Sequence, residues 1–187
     1  MTWNNARPPG TCASRPPPAR RLTAGPARPR RACSAATAAC AAPLALFGLL
    51  DSSHIWYLAS TGMFRPCHDR CGTFCTHVLD RGDSEFVVED ASTDPRFMEH
   101  PSITGPPHLR FYAGVPLVSS AGHHVGTFAV FDFHTRAATP ELWSQLRRLA
   151  ARAVEELERD MVSVAMMQTR VARTAVLRWL GWLPACA

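Results

Sequence analysis

The sequence predicts an α+β fold with an antiparallel sheet of about five to six strands, helices packed on one face and a long C-terminal helix. Residues 109–119 and 124–133 are apolar and are joined by a short Gly-containing turn, which is typical of a strand hairpin. From Thr139 onward, apolar residues recur in steps of three and four, which indicates an amphipathic helix. With 47% apolar residues in 187, the chain can bury a core of ordinary size.

The earlier part of the domain supplies the remaining elements. Residues 44–50 and 55–60 are apolar and flank a polar turn, so they predict a first hairpin. Residues 73–79 predict a short helix and 85–89 a strand. The stretch 61–72 reads as a loop. Another stretch, 94–103, predicts irregular structure with one helical turn after Pro95.

Composition divides the chain into three parts. Residues 1–42 are rich in Arg, Pro and Ala and contain no acid, which predicts a disordered leader whose Ala-rich end has high helix propensity. Residues 43–160 form the predicted domain. Residues 161–187 form a C-terminal helical extension, because the pattern of apolar residues and Arg continues toward Leu180.

The leader leaves two interpretations of location open. Its Arg and Ala, without acid, resemble an organelle transit segment, but Ser is sparse and no amphipathic stripe is visible. A plain leader and a cytoplasmic protein are therefore favoured over an organelle. Seven irregularly spaced Cys fit a reducing compartment. No apolar run reaches the 18 or more residues of a membrane span, so no transmembrane segment is expected.

Charge argues against a nucleic-acid partner. The net charge is +5, but seven of the twenty Arg lie in residues 1–50, which contain no acid. The remaining thirteen Arg lie in residues 51–187, together with all fifteen acidic residues. Because the excess positive charge falls on the leader, no basic stripe is expected on the folded part.

Three short segments carry a family resemblance. They are Phe74-Cys75-Thr76-His77, Thr93-Asp94-Pro95-Arg96-Phe97 and Phe111-Tyr112-Ala113-Gly114-Val115-Pro116-Leu117. In this order they resemble the GAF domain, of the type found ahead of histidine kinases and diguanylate cyclases. The Asn-Lys signature of cyclic-nucleotide-binding members has no match, since the chain contains no Lys.

The resemblance implies a non-catalytic sensory or regulatory domain that binds an unknown small molecule in a pocket on the sheet. Signalling would pass through the C-terminal helix to a second copy or to a kinase- or cyclase-type output protein. No cofactor is predicted. Six residues are the candidate ligand contacts: Phe74, His77, Arg96, Phe97, Arg110 and Tyr112. For Phe97, His77 and Tyr112, contact with the ligand and packing in the core are equally expected. Phe111 and Phe128 are expected in the core.

Two other functions remain open. Free methionine sulfoxide reductases are GAF proteins with paired Cys nucleophiles, so Cys71 and Cys75 are the candidate catalytic residues of a thiol-based redox enzyme. A helix N-terminus with Arg70 close by is a setting that lowers a thiol pKa, and Cys75 lies in it. The second alternative is an interaction module that binds no ligand.

Two further interpretations of the Cys-rich stretch are disfavoured. A metal site would use Cys67, Cys71, Cys75 and His77, but their spacing matches no standard zinc pattern. Covalent attachment of a bilin would need Phe after Cys71, where Gly72 stands.

The end of the long helix allows two contacts. A short homodimer contact is favoured over an anionic membrane surface, which the basic and aromatic residues beyond 169 would otherwise suit.

Overall fold

The computed structural model describes residues 27–50, 54–62, 67–70, 72–80 and 85–179, without the side chains of 27–28, 67–68, 80 and 161–179. The helices are α1 (Ala27–Ala39), α2 (Phe74–Asp80), α3 (Pro101–Thr104) and α4 (Pro140–Trp179). The strands are β1 (Leu44–Leu50), β2 (His54–Thr61), β3 (Cys67–Asp69), β4 (Phe86–Val88), β5 (Phe111–Val118) and β6 (His124–Asp132).

The six strands form one antiparallel sheet in the order β3-β2-β1-β6-β5-β4. The first and last hairpins meet at its centre, where Leu46 pairs with Ala129 and Phe47 with Phe128. The predicted α+β class and antiparallel sheet are confirmed. The prediction of a loop throughout 61–72 is wrong, because β3 lies in it. This strand has three residues, too few for an alternating pattern to show in the sequence.

One face of the sheet is covered by α1 and α4, and we call it the helix-covered face. Phe47, Phe111 and Phe128 lie fully buried there, which confirms the predicted core role of Phe111 and Phe128. The stripe that predicted α4 is buried against them, together with two residues of α1. These contacts are made by Cys33, Ala36, Leu142, Leu146, Leu149 and Ala153.

Helix α1 occupies the Ala-rich end of the segment predicted as a leader. Its C-terminal end is held by Arg136, which lies between β6 and α4. The Arg136 guanidinium donates to the carbonyl oxygens of Cys40 at 2.7 Å and Ala41 at 3.1 Å, and to Asp132 Oδ2 at 3.1 Å. It also lies over the Phe111 ring, 5.4 Å from the centroid. A single planar cation therefore satisfies helix-end carbonyls that have no partner within the helix.

Helix α4 begins where the sequence predicted, with Thr139 Oγ1 accepting from Leu142 N at 3.3 Å and Pro140 at the first position. Its 40 residues correspond to about 60 Å of helix. Near the end of its packed part, Glu158 Oε1 accepts from the backbone N of Ser120 at 2.8 Å and so ties α4 to the β5–β6 turn. None of the described helices is long and apolar enough to cross a membrane.

Candidate functional site

The opposite face of the sheet carries a second core built around aromatic rings. Its centre consists of Phe74, Phe86, Phe97, Tyr112 and Phe131, which we call the aromatic face. Side chains of β5 and β6 alternate, so Tyr112 and Phe131 point here while Phe111 and Val130 point to the helix-covered face. Helix α2 and the segment 91–103 cover these rings.

The rings of the aromatic face stack closely. Phe74 lies between Phe97, at a centroid distance of 4.2 Å, and Tyr112, at 5.0 Å, with interplanar angles of 26° and 13°. Phe131 meets the Tyr112 ring edge-on at 5.0 Å. His77, half-buried, stacks on Phe86 at 5.6 Å and meets Phe97 edge-on at 5.0 Å. Four of the six predicted ligand contacts, Phe74, His77, Phe97 and Tyr112, therefore touch one another.

Tyr112 lies along its own strand because Gly114 has no side chain. A Cβ at Gly114 would meet the Tyr112 hydroxyl and would stand 2.7 Å from its Cζ atom. The hydroxyl donates instead to Cys75 Sγ on α2, at 3.8 Å. Burial, with Cys75 and Tyr57 nearby, raises the pKa of Tyr112 well above its ordinary value. Tyr112 is therefore a neutral phenol at physiological pH.

The Cys75 thiol is fully enclosed. Burial raises its pKa, although the Thr127 and Tyr112 hydroxyls beside it favour the ionised form. The sequence suggested that the helix N-terminus and Arg70 would lower this pKa. The opposite holds, because removal from water outweighs every favourable contact.

Thr127, on β6, has the only buried side-chain oxygen or nitrogen without a hydrogen-bond partner among the described residues. It is fully buried and lies next to Cys75, although the thiol and hydroxyl do not reach hydrogen-bonding geometry. Tyr57 on β2 borders the same region, and burial raises the pKa of its phenol. Sequence reasoning missed Thr127 and Tyr57. The signal for Thr127 was one hydroxyl within the apolar stretch 125–131 of β6, at a position whose neighbours Phe128 and Val130 face the other core.

An ion pair stands at the rim of the aromatic face. Arg96 donates to Asp94 from Nε at 2.9 Å and from Nη2 at 2.5 Å. The guanidinium lies over Phe86, at 5.0 Å from the centroid, and over Phe97, at 5.4 Å. These hydrogen bonds hold the pKa of Asp94 below its usual range. Arg96 therefore contacts the predicted site, but its charge is already matched by a carboxylate.

Arg110 is the remaining predicted ligand contact. It precedes β5, and its Nη1 atom donates to the backbone carbonyls of Leu109 at 3.0 Å and Ile103 at 3.2 Å. Its guanidinium fastens α3 to the start of β5. The structure thus gives Arg110 a supporting contact with the segment that covers the rings.

The predicted metal and redox residues are only partly described. Cys71, which is also the Cys of the bilin motif, and the side chain of Cys67 lie outside the described residues. Of the four suggested metal ligands, Cys75 and His77 remain, and both contact aromatic rings or hydroxyls. Among the described side chains, no three His, Cys, Asp or Glu gather in a group that suits a metal ion.

A curated protein is similar to part of this chain. A cyclic di-GMP phosphodiesterase from Pseudomonas aeruginosa is 37% identical over 108 residues, which make up 58% of this chain and 18% of that protein. The chain therefore spans less than a fifth of the relative's length. The name of the whole relative does not assign an activity to this part.

Solved structures share the fold. The GAF domain of a phosphoenolpyruvate-protein phosphotransferase from Coxiella burnetii has a TM-score of 0.63 and 14% identity, over 78% of this chain and 91% of that one. A type II free methionine-R-sulfoxide reductase from Thermoplasma acidophilum has a TM-score of 0.60 and 14% identity, over 72% and 92%. At such low identity the similarity concerns the fold alone. The GAF domain profile itself matches residues 28–157, from the start of α1 to the packed part of α4, and the chain belongs to the GAF domain family.

Proposed function

We propose that the protein is a non-catalytic sensory or regulatory domain that binds a small molecule at the aromatic face. The observation that carries this proposal is the combination of stacked rings with a few buried polar groups, Cys75, Tyr112 and Thr127. Ligand sites are mostly apolar and hold a few well-placed polar groups that orient the ligand. Helix α2 and the segment 91–103 would have to move to admit a ligand.

Signal transfer would run from the aromatic face to α4. Tyr112 and Phe111 are neighbours on β5 and belong to opposite cores, so a shift of one is felt by the other. Phe111 shares its core with Leu142 and Leu146 of α4. The helix would then act on a partner, either a second copy of the chain or a kinase- or cyclase-type output protein.

We also propose that the folded domain begins at α1 and not at residue 43, because Cys33 and Ala36 are fully buried in the helix-covered face. The cytoplasm is the proposed location, since seven unpatterned Cys suit a reducing compartment. A reporter fusion of the full chain, followed by microscopy, tests the location. A signal in an organelle would favour the transit-segment alternative.

One alternative function has its own support. The 4.2 Å and 5.0 Å stacking of Phe74 against Phe97 and Tyr112 fills the centre of the aromatic face, which suits an interaction module that binds no ligand. A redox enzyme centred on Cys75 has less support, because burial raises the pKa of the thiol and only the thiolate is a strong nucleophile.

Native mass spectrometry of the freshly purified full chain, compared with its denatured mass, tests the proposal. We expect a mass excess that is lost on denaturation. Where none is retained, a thermal-shift screen of metabolites should yield a compound that raises the unfolding midpoint. The ligand-free alternative gains if neither measurement finds a compound. The native spectrum also reports whether the chain is a homodimer.

Two matched variants locate the site. Phe97→Leu alters the aromatic face and Phe128→Leu the helix-covered face, and both replace a ring that is at most 1% exposed. We expect Phe97→Leu to weaken binding about tenfold or more, whereas Phe128→Leu should leave it within about twofold despite a similar loss of packing. Equal effects of the two variants would place the ligand elsewhere.

A further inference from the structure

The charges around the aromatic face are already engaged. Among the described residues, Asp132 is the only buried residue with a charged side chain, and it is paired with Arg136 at the end of α1. At its rim, Arg96 is paired with Asp94, and Arg110 donates to two backbone carbonyls. Both guanidinium groups already have partners, so neither is available to pair with an anionic group in this core. Burying a charge without a partner is strongly unfavourable.

The polar groups that face the core are the His77 imidazole, which stacks on Phe86, and the neutral hydroxyls and thiol of Thr127, Tyr112 and Cys75. Thr127 Oγ1 is fully buried without a hydrogen-bond partner among the described residues. The Tyr112 hydroxyl uses its proton toward Cys75, so its oxygen can still accept a hydrogen bond. A buried hydroxyl that lacks a partner loses the hydrogen bonds it made in water. The site therefore favours a group that supplies one hydrogen bond and carries no charge.

The rings define the rest of the ligand. Phe74 is nearly parallel to both Phe97 and Tyr112, with interplanar angles of 26° and 13°. A planar ligand would therefore take the place of one of these rings in the stack, and flat aromatic groups stack favourably on such rings. We propose that the ligand of the aromatic face is an uncharged molecule that stacks a planar apolar part on these rings and directs one hydroxyl or carbonyl group to Thr127. This inference rests on the proposed function and assigns its ligand class. It excludes nucleotides and cyclic dinucleotides from this site, although a relative is named for acting on cyclic di-GMP.

Three related probes test the ligand class on the full chain. Phenol has a ring and a hydroxyl, toluene has the ring alone, and phenyl phosphate has a ring and a charge. Ligand-observed NMR and the unfolding midpoint both report binding. We expect phenol to bind about fivefold more tightly than toluene, the difference of one net hydrogen bond, and phenyl phosphate not to bind. Binding of phenyl phosphate or cyclic di-GMP that Phe97→Leu abolishes would overturn the ligand class while leaving the proposed function intact.

Substitutions at Thr127 test the polar contact. Thr127→Val keeps the shape of the side chain and removes the hydroxyl, and Thr127→Ser keeps the hydroxyl. We expect Thr127→Val to bind phenol no better than toluene, and Thr127→Ser to retain the phenol preference. An unchanged preference in Thr127→Val would overturn the inference.

A crystal structure of the purified chain shows whether the group that bonds to Thr127 belongs to a bound compound or is a water molecule. The hydroxyl or carbonyl of a bound neutral compound at Thr127 supports the inference. An ordered water there, together with equal binding of phenol and toluene, would mean a hydration site only and would overturn it. Failure of all three probes, with no compound retained in native mass spectrometry, would overturn both this inference and the proposed function.

Discussion

The Tyr112 hydroxyl donates a hydrogen bond to the Cys75 sulfur at 3.8 Å and joins β5 to α2 inside the aromatic face. This contact holds the thiol where water does not reach it, and burial raises its pKa.

Cys75 should resist alkylation in the native protein. Because the thiol is buried and un-ionised, we expect iodoacetamide at pH 8 to label it at least about 100 times more slowly than in urea-unfolded protein. Mass spectrometry with fragmentation is needed to distinguish Cys75 from Cys71, since no Arg or Lys separates them. Labelling of Cys75 at the unfolded rate would revive the redox alternative.

The protein should lose stability in alkali. Burial raises the pKa of Cys33 to about 12 from 9.0 and raises the pKa of Tyr112 above 10.0. Above about pH 9 the unfolded chain releases protons that the folded chain keeps. The free energy of unfolding should therefore fall by up to about 1.4 kcal/mol per pH unit for each such group.

Urea titrations at pH 8, 9 and 10 in reducing buffer measure this dependence. Cys33→Ala removes one contributing thiol, so its stability should fall less steeply with pH than that of the wild type. A stability that is equal at pH 8 and pH 10 would contradict the assigned pKa directions.

Gly114→Ala should disturb the aromatic face. The new Cβ would meet the Tyr112 hydroxyl and ring, and the buried ring has little room to shift. We expect a loss of about 1–3 kcal/mol in the free energy of unfolding, which is usual for an overpacked core, and a weaker ligand response. Gly122→Asn is the control. It lies in the β5–β6 turn, where an added Cβ meets open space and the positive φ of 80° suits Asn, so it should cost less than about 0.5 kcal/mol.

Arg136→Lys should loosen α1. Lys keeps the charge but lacks the planar fork that spans the carbonyls of Cys40 and Ala41 and the Asp132 carboxylate. We expect a loss of about 1–3 kcal/mol and faster hydrogen exchange in α1, measured by mass spectrometry. Arg148→Lys alters an exposed residue that donates to Gln145 within α4, and its exchange should match that of the wild type. Unchanged exchange in the Arg136 variant would mean that α1 is held by packing alone.

Asp94→Asn should alter the acid dependence of stability. The pKa of Asp94 is lowered by the hydrogen bonds from Arg96, so the carboxylate stabilises the fold above its unfolded pKa of about 3.8, and this contribution is lost as pH falls through the lower folded value. The variant should be less stable at pH 7 by under about 1 kcal/mol, because Arg96 is partly exposed. The difference between variant and wild type should shrink toward pH 2. A difference that does not change with pH would rule out the carboxylate as its cause.

Long elements were predictable from the sequence, and so were the short helix α2 and strand β4, whereas β3 was not. The stripe from Leu142 to Ala153 predicted the packed part of α4, because the pattern repeats several times. The apolar run 109–119, followed by a Gly-containing turn, predicted β5. Strand β3 has three residues and no repeat. Helix α1 was visible only as Ala-rich propensity, since it is buried against the sheet and α4 and its end is held by Arg136, nearly a hundred residues away in the chain.

The candidate site was predicted in its aromatic parts. Phe74, His77, Phe97 and Tyr112 came from the family resemblance, and the structure brings them into contact. What the sequence could not indicate is which polar groups are left without partners. That property of Thr127 depends on how β6 packs beneath α2, and the commitment of Arg96 and Arg110 depends on turn geometry around Asp94 and Ile103.

The alternation of β5 has a consequence for how such a domain can report occupancy. A single layer of peptide separates Tyr112 on one side from Phe111 and Ala113 on the other. A ligand that displaces Tyr112 would also displace the β5 backbone, and α4 packs directly on the other side of that backbone. The sheet itself would then transmit ligand binding on one face to a movement of α4 on the other.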